Sequence, residues 1–227
     1  DIDKAISATE RNIENAEALF LSALDNLVNE KSLGKKILIG EVCELFQGLA
    51  INKKTKHLLV EKSGKPLLRI KDLVNGNHEQ YVDDNYFSEA TNIEENDLIF
   101  TRTGSLGLVF RGRQGVLHNN SFKIVPSSDL IADYFFWWLH NPKFLAEIHK
   151  IAQKAAQPDI SHKLFNSQSI RIPNKEKQRE LVSNIESIYQ RKISYSSLMQ
   201  KKLKLIANLK NSILNQAFSG ELTKDVA

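Results

Sequence analysis

Two stretches of sustained heptad periodicity bracket this chain, and they limit its fold more than any other feature. In the first, Ile2, Ile6, Thr9, Ile13, Ala16, Phe20, Ala23 and Leu27 recur at alternating spacings of four and three, with no glycine or proline before Gly34. Such a seam keeps one helix face apolar along its length and predicts a coiled-coil strut rather than a helix lying on its own domain. The second stretch opens at Pro173-Asn174, with Asn174 as a good N-cap and Glu176 in the first turn. Ile185, Ile188, Tyr195, Met199, Ile206, Leu209 and Ile213 then hold a second seam, with Lys192 and Lys202 in the remaining slots. Ser219-Gly220 is its stop signal. The two helix ends echo each other, since Ser22, Leu24 and Asp25 of 21–27 align with Ser212, Leu214 and Asn215 of 211–222. One strut enters the middle of the chain and the other leaves it, so the two are expected to run antiparallel.

Charge separates the same three regions. Net charge is −4 over residues 1–32, +3 over 33–173 and +5 over 174–227, within a total of +4. Opposite signs on two elements that run side by side favour their pairing over self-association of like copies. The chain of 227 residues has room for one sizeable domain plus extensions, and its single cysteine, Cys43, excludes an intramolecular disulfide or a thiolate metal cluster. That cysteine usage points to a reducing, cytoplasmic setting. No apolar run reaches the roughly 18 residues a membrane span needs, so no membrane role is expected. Asp1 stands where a start methionine would, which suggests a fragment or a processed chain whose partner half is missing.

The middle reads differently. Strands are expected at Ile37–Phe46, Pro66–Ile70, Asp97–Thr101, Leu108–Arg111, Ser121–Val125 and Ile170–Ile172, with helices at Asp129–His140 and Pro142–Ala156. Strands first and helices later imply an α+β class, a mixed α/β domain flanked by two long helices forming an antiparallel coiled coil. The expected boundaries are 1–32 for the first helix, 33–173 for the domain, 174–222 for the second helix and 223–227 for a tail.

Catalytic signatures are missing. No lysine has an acidic residue two positions before it, the commonest arrangement in metal-dependent restriction nucleases. No glycine-rich turn opens a βαβ unit for a nucleoside cofactor, and Ser63-Gly-Lys65 lacks the upstream glycine of a phosphate loop. The six histidines show no two-ligand spacing on one helix face. The chain is expected to be non-catalytic, with no cofactor or metal of its own.

Loops carry the plausible contacts instead. Lys53, Lys54, Lys56 and His57 form a basic loop after Gly48. Arg102, Thr103 and Ser105 surround Gly104, where backbone can approach a ligand closely. Arg111 and Arg113 flank Gly112, His118, Asn119 and Asn120 precede a strand, and Gln157 and Ser161 precede a helix or turn. Arg, Asn and Gln pair with guanine and adenine edges, while Lys, Ser and Thr suit phosphates. Arg102 and Arg113 are therefore candidates for guanine or phosphate, Asn119, Asn120 and Gln157 for base edges, and Lys53, Lys54, Lys56 and Ser161 for the backbone.

With these residues in view, the chain resembles the DNA-specificity subunit of type I restriction–modification systems. The resemblance is carried by Leu45-Phe-Gln-Gly48, Pro66-Leu-Leu-Arg-Ile-Lys-Asp-Leu73 and Asn96-Asp-Leu-Ile-Phe-Thr-Arg-Thr-Gly-Ser-Leu-Gly107. It continues through His118-Asn-Asn120, Gln157-Pro-Asp-Ile-Ser161, 170–182 and Ala217-Phe-Ser-Gly-Glu-Leu222. It implies a target recognition domain at 33–173 that binds double-stranded DNA at one half of a split site. It further implies helical spacers that seat methyltransferase subunits using S-adenosylmethionine and, through them, ATP- and Mg2+-dependent restriction/translocase subunits. The family carries two recognition domains where this chain has one, so a second recognition half or a homodimer is implied. About 30 helical residues make a rod of roughly 45 Å, longer than one DNA turn of about 34–36 Å, which suits separated half-sites. Two further readings of the residues stay open: the recognition domain of a fused restriction–methylation enzyme, and a coiled-coil protein-binding adaptor.

Overall fold

The computed structural model describes residues 1–61, 64–153 and 158–219. Helix α1 (Ile2–Asn29) is followed by a 3-10 turn at Lys31–Leu33, β1 (Lys36–Leu38), a second 3-10 turn at Ile39–Glu41 and β2 (Cys43–Gln47). Next come β3 (Leu59–Val60), β4 (Lys65–Leu68), α2 (Ile70–Asn75), β5 (Tyr81–Val82), β6 (Asn92–Ile93), β7 (Leu98–Thr101) and β8 (Val109–Phe110). The chain closes with β9 (Gly115–Leu117), β10 (Ser121–Pro126), α3 (Ala132–Leu139), α4 (Pro142–Ala152), α5 (His162–Asn166), β11 (Ser169–Arg171) and α6 (Lys175–Phe218). Two units result: Asp1–Leu24 together with the chain from Ser183, and Asp25–Val182.

The first unit is an antiparallel helix pair. Phe20 and Tyr189 meet with ring centroids 5.3 Å apart, Glu17 pairs with Lys192, and Asp3 pairs with Lys210 at 2.6 Å. Partners rise on one helix as they fall on the other, which defines the direction. Every seam residue of the first helix up to Ala23 is at least partly buried, and Thr9 is fully so because its hydroxyl is turned back onto the Ala5 carbonyl at 2.7 Å. At the end of this helix the buried residues are Leu24 and Val28 rather than the expected Ala23 and Leu27. A straight helix of 3.6 residues per turn drifts about 20° per heptad from a 3.5 repeat, so the stripe has moved one position after three heptads. Lys192, in a seam slot, lays its stem inward with the ammonium 5.3 Å from the Tyr189 ring and 5.7 Å from Phe20. Asn174 caps α6 through the Lys177 amide at 2.9 Å. The Gly220 stop lies outside the described residues.

The second unit is built on sheets. A four-stranded sheet of order β2-β10-β7-β8 is antiparallel throughout, and a five-stranded sheet of order β3-β5-β4-β9-β6 contains one parallel pairing, β4 with β9. β1 and β11 form a separate antiparallel pair. Phe100 on β7 and Phe122 on β10 stack at 5.4 Å, and Phe165 of α5 closes on both at 5.0 Å. Phe144 of α4 reaches this cluster and carries Trp138 of α3 at 4.6 Å. These large rings account for why α3, α4 and α5 cover the four-stranded sheet.

Some expected elements divide. Ile37–Phe46 is two strands separated by the 3-10 turn, because Ile39 turns inward and its amide bonds the Gln168 carbonyl at 2.8 Å. The strand expected to Ile70 ends at Leu68, because Arg69 caps α2: Asp72 accepts from the Arg69 amide at 3.1 Å and from its guanidinium at 2.7 Å. Strands β3, β5, β6 and β9 are two or three residues long with no alternation to read, so the sequence does not mark them. Lys154 to Gln157 lie outside the described residues, so the expected end of the Pro142 helix is seen only to Ala152.

Asp25, at the second unit's entry, supplies a pH test. Burial pushes its carboxyl up, but hydrogen bonds from Lys143 (2.5 Å), Asn29 (2.8 Å) and Asn141 (3.2 Å) together hold it below its ordinary value. A lowered folded-state pKa stabilises the fold above the unfolded value, and that stabilisation is lost as pH falls through the folded value. Urea midpoints measured from about pH 5 down to about pH 2 should therefore fall less steeply for Asp25→Asn than for the parent chain.

Candidate nucleic-acid interface

The register of the four-stranded sheet brings the candidate loops to one end. Gln47 at the end of β2 pairs with Phe122, and Thr101 at the end of β7 pairs with Ser121 at the start of β10. The chain thus leaves β2, leaves β7 and enters β10 at the same edge. Gly48 lies so close to this turn that a Cβ there would strike the His118 carbonyl oxygen, which leaves glycine as the residue that fits. Leu49 then forms an isolated bridge with His118, its amide donating to Leu117 at 2.6 Å while the Asn119 amide donates to Leu49 at 3.0 Å.

A polar clasp holds the loops together. The Arg102 guanidinium forks onto Asp159, Nε to Oδ1 at 2.9 Å and Nη2 to Oδ2 at 2.5 Å, and its Nη1 donates to Gln47 Oε1 at 3.1 Å. Gln47 Nε2 donates in turn to the Asn119 carbonyl at 2.7 Å. Backbone bonds follow the same path: the Arg102 amide to Asn120 at 2.9 Å and the Ile160 amide to Arg102 at 3.1 Å. Thr103 forms an isolated antiparallel bridge with Asp159. The glycine turn is closed by Thr101, whose hydroxyl donates to the Ser105 carbonyl at 2.5 Å and accepts from the Leu108 amide at 2.8 Å. Gly104 and Gly107 supply its positive φ angles, 68° and 87°. Ser161 caps α5, its Oγ accepting from the Leu164 amide at 3.2 Å.

The two histidines here are held below the ordinary imidazole value. Burial lowers the His118 pKa, assisted by the Arg69 cation and opposed by Asp72, and the Asn120 amide donates to its Nδ1 at 3.4 Å. Burial, then the Arg102 charge, lowers His162. Its ring stands edge-on to Phe122 at 5.2 Å.

The basic loop leaves the same end of β2. Thr55 ties it shut, its hydroxyl donating to the Ala50 carbonyl at 2.6 Å and accepting from the Asn52 amide at 2.9 Å. Lys53, Lys54, Lys56 and His57 are all exposed, and the three lysines have no ion-pair partner among the described residues. Arg102 has its charge answered by Asp159, whereas these lysines carry uncompensated charge.

Not every predicted residue joins. β8 runs antiparallel to β7, with Phe110 opposite Ile99, so Arg111 and Arg113 lie at the opposite end of that hairpin. Arg111 is paired with Asp133 and its guanidinium lies 4.3 Å over the Phe136 ring. Arg113 spans its own turn, donating to the carbonyls of Leu73 at 3.3 Å and Gly112 at 3.2 Å. Gln157 lies outside the described residues. Sequence reasoning missed Gln47 and Asp159 as members of the cluster. Both stand in motifs already singled out, Leu45–Gly48 and Gln157–Ser161, but Asp159 lies 57 residues from Arg102, so no local signal joins the pair. Among the described residues no three His, Cys, Asp or Glu side chains group as a metal site, and no helix is long and apolar enough to cross a membrane.

Comparison with known proteins places this geometry. Residues 12–208 match the family described as type I restriction modification DNA specificity domain. The specificity subunit of the type I restriction enzyme EcoKI from Escherichia coli strain K12 is 30% identical over 179 residues, which cover 70% of this chain and 38% of that protein. The EcoBI specificity subunit of Escherichia coli is 26% identical over 174 residues, 71% of this chain and 36% of that protein. The chain therefore matches less than two fifths of the length of these relatives. Among solved structures, a chain from work on complex assembly and conformational transition of the type I R-M system superposes with a TM-score of 0.79 at 15% identity. The HsdS subunit of Thermoanaerobacter tengcongensis gives 0.67 at 17%. Each match covers 96% of this chain and 55% of the other, and at these identities it speaks to the fold.

The clasp can be tested by a double-mutant cycle. The Arg102–Asp159 pair is partly exposed, so each of Arg102→Ala and Asp159→Ala should lower unfolding free energy by about 1 kcal/mol. The double variant should lose less than the sum of the two. Denaturant titration of the four chains gives the coupling, and strict additivity would show that the pair holds nothing together.

Proposed function

The chain belongs to the type I restriction-modification DNA specificity domain family, matched over residues 12–208, and on that premise we propose that it recognises one half of a bipartite site in double-stranded DNA without chemistry of its own. The observation that supports this reading is the convergence of three loops at one sheet end in a chain of this family. The Arg102–Asp159–Gln47 clasp presents Asn119 and Asn120, whose amides suit base edges. Lys53, Lys54 and Lys56, on the loop that leaves the same end of β2, answer phosphates. Arg102 has the ordering role, and Arg111 and Arg113 stand outside the reading surface. In this reading residues 33–173 are the target recognition domain, 1–32 and 174–222 are the spacers, and 223–227 is a tail.

The helical unit fits partner docking. Leu198, Leu205, Leu209, Leu214 and Phe218 are exposed by 59, 69, 54, 43 and 86%, far more apolar surface than an isolated helix pair needs. We assign this surface to a second recognition half or second copy and to the methyltransferase subunits. S-adenosylmethionine, ATP and Mg2+ then belong to the partner subunits, and the assembly works in the cytoplasm.

Two measurements check this. Changing Lys53, Lys54 and Lys56 together to Ala should weaken duplex binding on every sequence alike and make the salt slope shallower by about 2–3 units, near 0.9 per lost phosphate contact. An unchanged slope and affinity would remove the loop from the interface. Leu205→Asp with Leu209→Asp should leave duplex affinity per chain intact while abolishing co-purification with methyltransferase subunits.

A further inference from the structure

A cleft of ≈ 490 Å³ opens in the second unit between the β1–β11 pair and the start of α4, sharing no lining residue with the clasp. Its rim carries Lys31, Lys36, Lys143 and Arg171 against a single carboxylate, Glu147, and its floor is Trp138 and Phe144. Lys143 is answered by Asp25 at 2.5 Å. Lys31 and Lys36 have no ion-pair partner among the described residues. Arg171 turns one nitrogen to the Gly34 carbonyl, a neutral acceptor that leaves its charge in place.

The placement of two of these cations is the telling point. The register of the strand pair sets Lys36 directly opposite Arg171. Like charges at directly opposed positions destabilise a sheet, where an oppositely charged pair would stabilise it. A two-stranded ribbon has little stability to give up. Beside them, the indole Nε1 of Trp138 is buried without an acceptor among the described residues. A cationic cross-strand pair on the rim of a concavity calls for an anion, and the buried Trp138 indole N–H lies in the wall behind it as a reporter.

We propose that this cleft seats an acidic segment of a partner protein, a carboxylate side chain reaching Lys36 and Arg171 while its peptide lies over the Trp138 and Phe144 floor. The concave, aromatic-floored shape favours a peptide over a DNA backbone, which basic residues on protruding loops meet more readily. The lining amides and hydroxyls of Asn29, Gln168 and Ser169 suit peptide groups. The site does not depend on the DNA-reading surface, so each can fail without the other.

Lys36→Glu separates the stability of the free chain from binding. It converts a repulsive cross-strand pair into an attractive one, so the free protein should melt about 1–3 °C higher. The same change should abolish binding of the acidic probe N-acetyl-Leu-Glu-Glu-Leu-amide. Binding is read from the Trp138 indole N–H resonance in a ¹⁵N-labelled chain, assigned with Trp137→Phe. In the parent chain that resonance should shift saturably with the peptide, and the shift should vanish in Lys36→Glu and weaken at least tenfold in Arg171→Gln. No shift with peptide, or an equal shift in Lys36→Glu, overturns the proposal. A shift produced by a 20-bp duplex and not by the peptide also overturns it and makes the cleft a phosphate contact.

Discussion

Loops carry backbone and side-chain polar groups that no ladder satisfies, and at the end of the four-stranded sheet one guanidinium organises three of them. Arg102 is bonded to Asp159 and Gln47 through its side chain and to Asn120 and Ile160 through its backbone. Gln47 passes the same constraint to Asn119 at 2.7 Å. The strands supply rigid anchors on either side, because β10 is paired along both edges and buried over Ser121–Ile124. The loops are therefore ordered before any ligand arrives. Preorganisation of this kind lowers the conformational cost of binding and lets the exposed residues of the loops vary around a constant frame.

The clasp also divides the charges of the interface into two kinds. Arg102 is neutralised internally, so its loss disturbs geometry more than field. Lys53, Lys54 and Lys56 sit on a loop closed by Thr55 and Asn52 and keep their charge for solvent or a polyanion. On the proposed DNA-binding reading, affinity without sequence information and geometry without net charge reside in different residues.

Much of this architecture was present in the heptads. Ile2 to Phe20 and Ile185 to Ile188 announced the two helices, since a seam repeated over many turns is not produced by other structures, but Tyr195, Leu209 and Ile213 of the second seam are exposed rather than packed on the first helix. Direction followed from connectivity, and Asp3–Lys210 and Glu17–Lys192 realise the opposite charges of the two segments. The strands of Phe100 and Phe122 were readable from their apolar runs. The short strands were not, because β5 or β6 consists of two residues whose conformation is imposed by neighbours far away in sequence. The same limit governs the site. Arg102 was visible as an arginine beside a glycine turn, but its partner lies 57 residues on, and no local pattern says that Asp159 answers it. Arg113 has the same local appearance and ends at the other end of the hairpin, because strand direction decides which end of a sheet a loop occupies.

The contrast between Arg102 and Arg171 shows how a fold separates ordering from docking. Both guanidiniums belong to the sheet-built unit, and each lies beside other polar groups. Arg102 meets a carboxylate in ideal fork geometry, so its charge is consumed in holding the structure. Arg171 meets a carbonyl and stands across a ladder from Lys36, so its charge is left over, and the sheet is weaker for it. Within the ribbon this pair stabilises nothing, and Glu at either position would meet a cation across the ladder. A local rule broken in this way is expected where something outside the chain completes the site.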